Sequence, residues 1–331
     1  QNDQHGGQSI PNFDYGMAPG VIKTYKKAIV RNIQIVLGLF VDHICKDEAK
    51  SLVKEAEDLS KKECRMLDET FNNALKEVIK NKYHLDNSDQ YVEKIIEYSY
   101  KETRQETFQA MEALIHNLNT MHSRAGAQVP FSSLNYGTDT SNEGRMVIDC
   151  LLDATLDGLG DGETPIFPIQ IFKLKEGVSY NKEDPNYDLF KKAIKVSGAR
   201  LFPNFSFLDA PYNKQYYKPG DYKSEVSYMG CRTRVMANVD KTKEITTGRG
   251  NLSFTSINLP RLGIKHKNGD LKGFYKELDE EMDLVKDQLL ERFNIQCQKK
   301  VYNFPFLMGQ HVWLDSDKLN WNDSVAEVIR H

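Results

Sequence analysis

Cysteine is scarce in this sequence: five residues in 331, scattered and odd in number, with no CxxC pair among them. That excludes a disulfide framework and fits reduced thiols in a cytoplasm. The eight histidines make no spaced ligand set with the cysteines, so no metal site is expected within the chain. An excess of charge is missing too. With a formal net charge of −3 and no basic half, the chain carries no electrostatic footprint for nucleic acid or an anionic membrane. The longest apolar-looking run, "IQIVLGLFVDHIC", has the length of a core helix, contains Asp42, and is too short and polar to cross a bilayer. No signal peptide opens the chain, and neither repeats nor low-complexity tracts occur. An initiator Met is also lacking, and "DSVAEVIRH" reads as a helix getting under way. The expectation is a piece of a longer protein.

What is present suffices for one large α/β domain or two smaller ones. After a Gly/Pro-rich opening, Ile22, Tyr25, Ile29, Ile33, Val36 and Phe40 recur at three- and four-residue steps, which predicts a long amphipathic helix. A charged helical stretch runs on to about Lys82. Another long helix begins near Ser88, with Phe108, Met111, Ile115 and Leu118 on one face. Residues 1–122 are thus mainly helical, and from 123 to 331 strands and helices alternate. "QVPFSSLNY" reads as a strand, and "TSNE" (Thr140 to Glu143) as a capping box opening a helix. "PIFPIQIFKL" reads as a buried strand, and "NYDLFKKAIKVSG" as a helix ending at a glycine cap. "RLFPNFSFLDA" and "NLSFTSINL" are two further strands. Leu271, Phe274, Leu278, Met282, Val285 and Leu289 mark a last long helix. Strands separated by helices predict a parallel α/β sheet or barrel.

Two of these strands are unusually polar. In "PFSSLNY", Phe131, Ser133 and Asn135 share one face, and Ser132, Leu134 and Tyr136 the other. Asn204 and Ser206 likewise lie opposite Phe205 and Phe207. A strand covered on both faces is ordinarily apolar throughout, and any buried polar group needs a hydrogen bond. Two readings follow: edge strands with one wet face, or a barrel whose lumen holds a polar substrate.

Cys231, in "YMGCRTRV", stands apart from the other cysteines. Cys45, Cys64 and Cys297 sit in helical, charged surroundings and Cys150 on an apolar helix face, all suited to packing. Cys231 follows "KPGDY" and Gly230, and Arg232 and Arg234 bring positive charge. Its thiol is a candidate nucleophile, a redox centre or a packing residue. No Cys–His–Asn order supports a papain-like hydrolase. Further on, Gly248 and Gly250 of "TTGRGN" suit a phosphate-cradling turn or a plain polar loop, the lysine and Ser/Thr of a P-loop being absent.

Five blocks taken together, "NDQHGGQSIPNFDYGMAPGV", "NLNTMHSRAGAQVPFSSLNYGTDTSNEGRMV", "SYMGCRTRV", "TGRGNLSFTSINLPRLGI" and "FPFLMGQ", resemble the catalytic subunit of anaerobic (class III) ribonucleoside-triphosphate reductases. The resemblance runs from end to end and is loosest from Asp47 to Glu112. It implies part of a ten-stranded α/β barrel of the glycyl-radical, pyruvate formate-lyase-like type with long flanking helices. Residues 1–331 would be an internal portion of that single catalytic domain. It implies that "MGCRT" carries the thiyl cysteine, Cys231, which takes the 3′ hydrogen of a ribonucleoside triphosphate. Loss of the 2′ hydroxyl as water and reduction, with formate as reductant, then give the deoxynucleotide. Asn251, in "GRGN", would sit near the ribose hydroxyls, where an amide both donates and accepts. Ser132, Ser133 and Asn135, and the opening His5, Gly6, Gly7 and Gln8, are further substrate-facing candidates.

The resemblance also says what lies elsewhere. The family's radical glycine, installed by a radical-SAM activating protein, and its zinc-binding tail would fall after His331. A second active-site cysteine and an ATP-cone regulatory module would precede Gln1, so the piece alone is expected to be inactive. A cytoplasmic homodimer is implied, with deoxynucleotide or ATP effectors between helices. The stretches 20–60 and 88–121 are candidates for that surface, the alternative being ordinary helices covering a barrel. Competing functions are another glycyl-radical enzyme such as a formate-lyase-type lyase, a non-catalytic nucleotide-binding module, and a redox-sensing thiol. Gly230 before a single cysteine favours the reductase over the lyase.

Overall fold

The helical first third folds as four helices. In the computed structural model, which describes residues 7–41, 43–85, 87–122, 128–230 and 233–329, α1 spans Phe13–Leu37, α2 Lys46–Ser60, α3 Glu69–Tyr83 and α4 Ser88–Thr120. The stretch 20–60 is therefore broken. α1 stops before Gly38, and α2 starts afresh after Cys45, whose sulfur accepts the Glu48 amide at 3.4 Å. α1 buries Tyr25, Ile29, Ile33 and Leu37 at helical spacing and packs on α4 and on α5 (Asn142–Asp157). The buried stripe of α4 has hydroxyls in its middle: Ser99, Thr103 and Thr107. Each bonds to the carbonyl one turn back, at 2.6, 2.7 and 2.7 Å, so the stripe is narrow yet satisfied. Buried Asn32 of α1 reaches Ser99 Oγ at 3.1 Å and ties the two helices together.

Four strands form one parallel sheet in the order β1 (Gln8–Ile10), β2 (Ser132–Tyr136), β3 (Ile169–Leu174), β4 (Asn204–Phe207). Helices make the crossovers, including α5 and α6 (Tyr187–Arg200). The cap of α5 is Ser141 rather than Thr140: its Oγ accepts the Gly144 amide at 3.1 Å. Glu143 is drawn away from the expected capping box because it accepts the Met66 amide at 3.0 Å. α6 runs through Gly198 and ends on left-handed Leu201. Arg200 holds that extra stretch by donating to Leu156 O at 2.8 Å. One face of the sheet, with Leu134, Tyr136, Phe172, Leu174 and Phe205, joins the helical core. Each such side chain contributes about 1.5–3 kcal/mol on burial. Around it Arg104 of α4 and Lys192 of α6 both bind Asp153 of α5, at 2.7 Å each.

Beyond β4 come α7 (Pro211–Lys214) and an antiparallel pair, β5 (Tyr228–Met229) with β6 (Thr233–Arg234). The chain divides into two units, Gln1–Val235 and Met236–His331. The second contains α8 (Leu259–Lys265) and α9 (Leu271–Cys297). Its own core gathers Val301, Met308, Trp313, Val325, Val328 and Ile329, with Trp313 Nε1 donating to Val328 O at 2.9 Å. On α9 the expected apolar face is half-buried at Phe274, Leu278, Val285 and Leu289 and exposed at Leu271 and Met282. The expected strand "NLSFTSINL" does not form, for residues 251–258 pair with no strand among the described residues. Side chains of α9 serve its carbonyls instead: Arg292 reaches Phe254 O at 2.9 Å and Gln296 reaches Leu252 O at 3.1 Å. An alternating pattern needs a neighbouring ladder to become a strand. Among the described residues, no helix is long and apolar enough to cross a membrane.

Candidate functional site

Strand register decides which side chains share the second face of the sheet. Ser9 aligns with Ser133, Asn135 with Ile171, Ile171 with Asn204, and Lys173 with Ser206. Alternation then puts Ser9, Ser133, Asn135, Lys173, Asn204 and Ser206 on the side away from the helical core. Ser133, Asn135 and Lys173 are fully buried, and Ser206 nearly so. At β2 and β3 this face is therefore covered, not wet, and it is mixed: Ile169 and Ile171 lie on it beside the polar groups and pack with Phe131, Phe167 and Tyr228. The hydroxyls of Ser133 and Ser206 find no partner among the described residues. A buried hydroxyl left so costs about 1–3 kcal/mol.

The chain entering β5 lies on this face. Asn135 Nδ2 donates to Tyr228 O at 2.9 Å, and the Tyr228 amide donates to Asn135 Oδ1 at 2.8 Å. Ser9 Oγ donates to the same carbonyl at 2.8 Å. The tyrosine peptide is gripped as a neighbouring strand would grip it. Gly230 follows at φ 62°, a left-handed angle that would cost another residue about 1–2 kcal/mol.

Charge gathers where β2 and β3 end. Asp14 Oδ2 accepts three successive amides, of Gly137, Thr138 and Asp139, at 2.8, 3.0 and 3.0 Å. Such a nest of N–H groups suits an anion, and here the protein's own carboxylate fills it. Burial lifts the Asp14 carboxyl above its ordinary range, opposed by the Asp139 amide and the Lys173 charge. Lys173 Nζ bonds Asn12 Oδ1 and lies 3.6 Å from Glu225 Oε2. Burial pulls its amine below the usual lysine range, with Glu225 opposing. Glu225 also takes Thr138 Oγ1 at 2.7 Å and Lys175 Nζ at 3.0 Å. The start of α1, the end of β2, β3 and the segment before Tyr228 thus meet in one buried ionic cluster. The strand C-termini of parallel α/β sheets are where ligands commonly bind.

Of the residues expected from sequence, Cys231, His5 and Gly6 lie outside the described residues. Gly7 and Gln8 are half-buried at the start of β1, the Gln8 amide donating to Phe131 O at 2.9 Å. Ser132 is buried on the helix side with Leu134, its hydroxyl 3.3 Å from Pro130 O, and Gln8 aligns with it. Ser132 and Ser133 therefore serve opposite faces. Asn135 has its amide committed to Tyr228. Asn251 belongs to the second unit, where it is exposed. The glycines before it have a packing reason: Gly248, at φ 75°, accepts the Leu314 amide at 2.9 Å. A Cβ on Gly250 would stand 3.0 Å from the Trp313 ring. That arrangement is a polar loop laid on a tryptophan.

Ser9, Asp14, Lys173 and Glu225 are additions that sequence reasoning missed. Lys173 carries its own signal, a lysine inside the mostly apolar "IQIFKL" that burial obliges to pair. Ser9 has none, since its partner is 219 positions away. Cys64 and Cys150 are buried, and burial pushes the Cys150 thiol up to about 12 and the Cys64 thiol higher still. Those values suit packing, not a reactive thiolate. Among the described residues, no group of three or more His, Cys, Asp or Glu could hold a metal ion.

The family model described as anaerobic ribonucleoside-triphosphate reductase matches residues 1–331, the whole chain. The chain belongs to that family. Anaerobic ribonucleoside-triphosphate reductases of Haemophilus influenzae, Escherichia coli and Enterobacteria phage T4 are similar to it. The first is 33% identical over 227 residues, which is 68% of this chain and 30% of the relative. The second is 31% identical over 237 residues, 71% of this chain and 32% of the relative. The third is 32% identical over 254 residues, 75% and 41% respectively. The chain thus spans about a third of the length of the bacterial reductases and 41% of the phage one. In reductase terms, the described polar face and its β5 clamp belong to the unit in which "MGCRT" falls.

Proposed function

We propose that this chain is the part of an anaerobic ribonucleoside-triphosphate reductase that carries the hydrogen-abstracting thiol, Cys231. The whole protein would convert ribonucleoside triphosphates to deoxyribonucleoside triphosphates. Beside family membership, one observation carries the reading: a covered, polar sheet face with β5 held against it two residues before Gly230. The four parallel strands would be part of a ten-stranded glycyl-radical barrel in a single catalytic domain, and the polar face part of its lumen.

A radical glycine, which the resemblance places outside residues 1–331, would take the hydrogen of the Cys231 S–H bond as its own C–H bond forms, leaving a thiyl radical. It would be regenerated at the end of the cycle. The Cys231 sulfur takes the 3′ hydrogen, an S–H bond forming as the C3′–H bond breaks homolytically. The 2′ hydroxyl leaves as water, formate is oxidised to carbon dioxide with two electrons passing to the ribose, and Cys231 returns a hydrogen to C3′. This chemistry needs a fixed sulfur shielded from water, which a segment tied to a rigid sheet supplies. It does not need a lowered thiol pKa. Asn251 would orient the ribose hydroxyls, with Gly7, Gln8, Ser132 and Ser133 lining or supporting the substrate site. The zinc tail, the radical-SAM activator and a cytoplasmic homodimer follow from the same resemblance, as do nucleotide effectors between helices at the subunit interface, for which the stretches 20–60 and 88–121 are the candidates.

The test uses the full-length protein with its activator under strict anaerobiosis. Cys231→Ala should keep the glycyl radical signal in electron paramagnetic resonance yet form no deoxynucleotide. Cys45→Ser, at an exposed helix cap, should match the unaltered enzyme. Product from Cys231→Ala would refute the assignment.

A further inference from the structure

Resting on that reading, we infer that Asn135 is a positioning residue for the reaction: with Ser9 it fixes the Tyr228 peptide, and so sets the course of the chain toward Cys231 three residues later. The geometry leaves the amide little else to do. Asn135 has one acceptor oxygen and two N–H donors. The oxygen takes the Tyr228 amide at 2.8 Å, one N–H serves Tyr228 O at 2.9 Å, and Ser9 Oγ lies 3.4 Å from the same nitrogen. Tyr228 pairs with Arg234 across the β5–β6 hairpin, yet its own N–H and C=O point to Asn135. A two-residue strand paired only with an equally short β6 has little ladder to hold it, and the Asn135 side chain ties it to the main sheet.

The residue types fit the task. At neutral pH a side-chain amide presents a donor and an acceptor at the spacing of a peptide, which an ionised carboxylate does not, and asparagine is short enough to do so from a strand. Asn135 is fully buried in a strand flanked by β1 and β3, so its place is set by backbone ladders on both sides. A group held this way transmits the precision of the sheet to the segment above it.

The experiment compares variants of the full-length enzyme, charged with its glycyl radical, by kcat, KM, equilibrium nucleotide binding and radical content. Asn135→Ala should lower kcat about 10²-fold, the cost of a misplacement near 1 Å, with nucleotide affinity and radical content unchanged. Ser9→Ala, which loses one of two bonds to the same carbonyl, should show a smaller loss of the same kind. Because both grip one peptide, the double variant should fall short of the product of the single losses. Asn135→Asp adds a readout that a merely structural role would not move. As a carboxylate it repels Tyr228 O; protonated, its O–H donates there while its C=O accepts the Tyr228 amide. Its kcat relative to the unaltered enzyme should therefore recover as pH falls.

Weakened nucleotide binding with kcat preserved would show that Asn135 contacts substrate and would overturn the inference. So would unchanged kcat in all three variants. Should Asn135→Ala fail to fold, Asn135→Asp decides, and no recovery on acidification sinks the idea. Product from Cys231→Ala would instead overturn the underlying assignment, whatever the Asn135 variants do.

Discussion

Lys173 shows what one charge inside a sheet demands. Its neighbours along β3 are apolar and buried, and its amine survives there because Asn12, Glu225 and Asp14 surround it. Taking two charges out of water is costly, so such a cluster adds little net stability while intact; removing one partner strands the others. Lys173→Met should therefore destabilise the first unit by about 3–5 kcal/mol in a denaturant titration. Adding Glu225→Gln should recover part of that loss. An unchanged midpoint for the single variant would show that the carboxylates are compensated without the lysine. At this scale the sequence was legible where a residue type broke its own pattern, as Lys173 does. It was opaque at Ser9 and Glu225, whose roles depend on partners brought near only by folding.

Two elements of the second unit show how short segments are held in place. The "TTGRGN" loop lies on Trp313 and Leu314, and a Cβ on Gly248 would stand 2.7 Å from the Leu314 amide nitrogen. Gly248→Ala should cost about 1–3 kcal/mol through overpacking and a left-handed φ. Both tryptophans, Trp313 and Trp321, lie in this unit, so their fluorescence reports the loss directly. The α8–α9 connection is ionic. His266 bonds Asp270 at 2.8 Å and Glu277 at 2.7 Å, and those bonds, Asp270 first, raise its imidazole above the ordinary value. Asp270 is lowered by His266, and Glu277 by Lys265 and then His266. The raised histidine stabilises below its unfolded pKa of about 6.5 and loses that effect as pH rises through its folded value. The lowered carboxylates stabilise above about 4.3 and lose theirs as pH falls through their folded values. The gap in melting temperature between the unaltered chain and His266→Gln should thus be widest between about pH 4.5 and 6.5 and close above it. A gap flat from pH 5 to 8 would rule out the ion pairs as its source.

On the scale of the molecule, the chain spans about a third of the length of its bacterial relatives, and under the proposed reading the radical source lies outside residues 1–331. Residues 1–331 supplied with ribonucleoside triphosphates and formate should form no deoxynucleotide, as chromatography would show; product would mean that a radical source lies within these residues. Much of the architecture was readable beforehand. Helical spacing located α1, α4 and α9, and strands alternating with helices announced the parallel sheet, because burial of one helix face or two strand faces leaves its period in the sequence. The glycine cap on α6, the capping box on α5 and the strand at 251–258 misled: α6 runs past Gly198 and is capped by the Leu201 amide, while in the other two cases distant groups took or supplied the bonds that local pattern assigned nearby. By itself, then, the sequence determined the family, the helices and the two-faced polarity of β2, all carried by order and spacing along the chain. Only the tertiary structure decided that the polar face is covered, that Asn135 grips Tyr228, and that Asp14 fills its own amide nest. Those are hydrogen bonds between residues some 90 to 125 positions apart, and their geometry exists only once parallel register has brought the strands together.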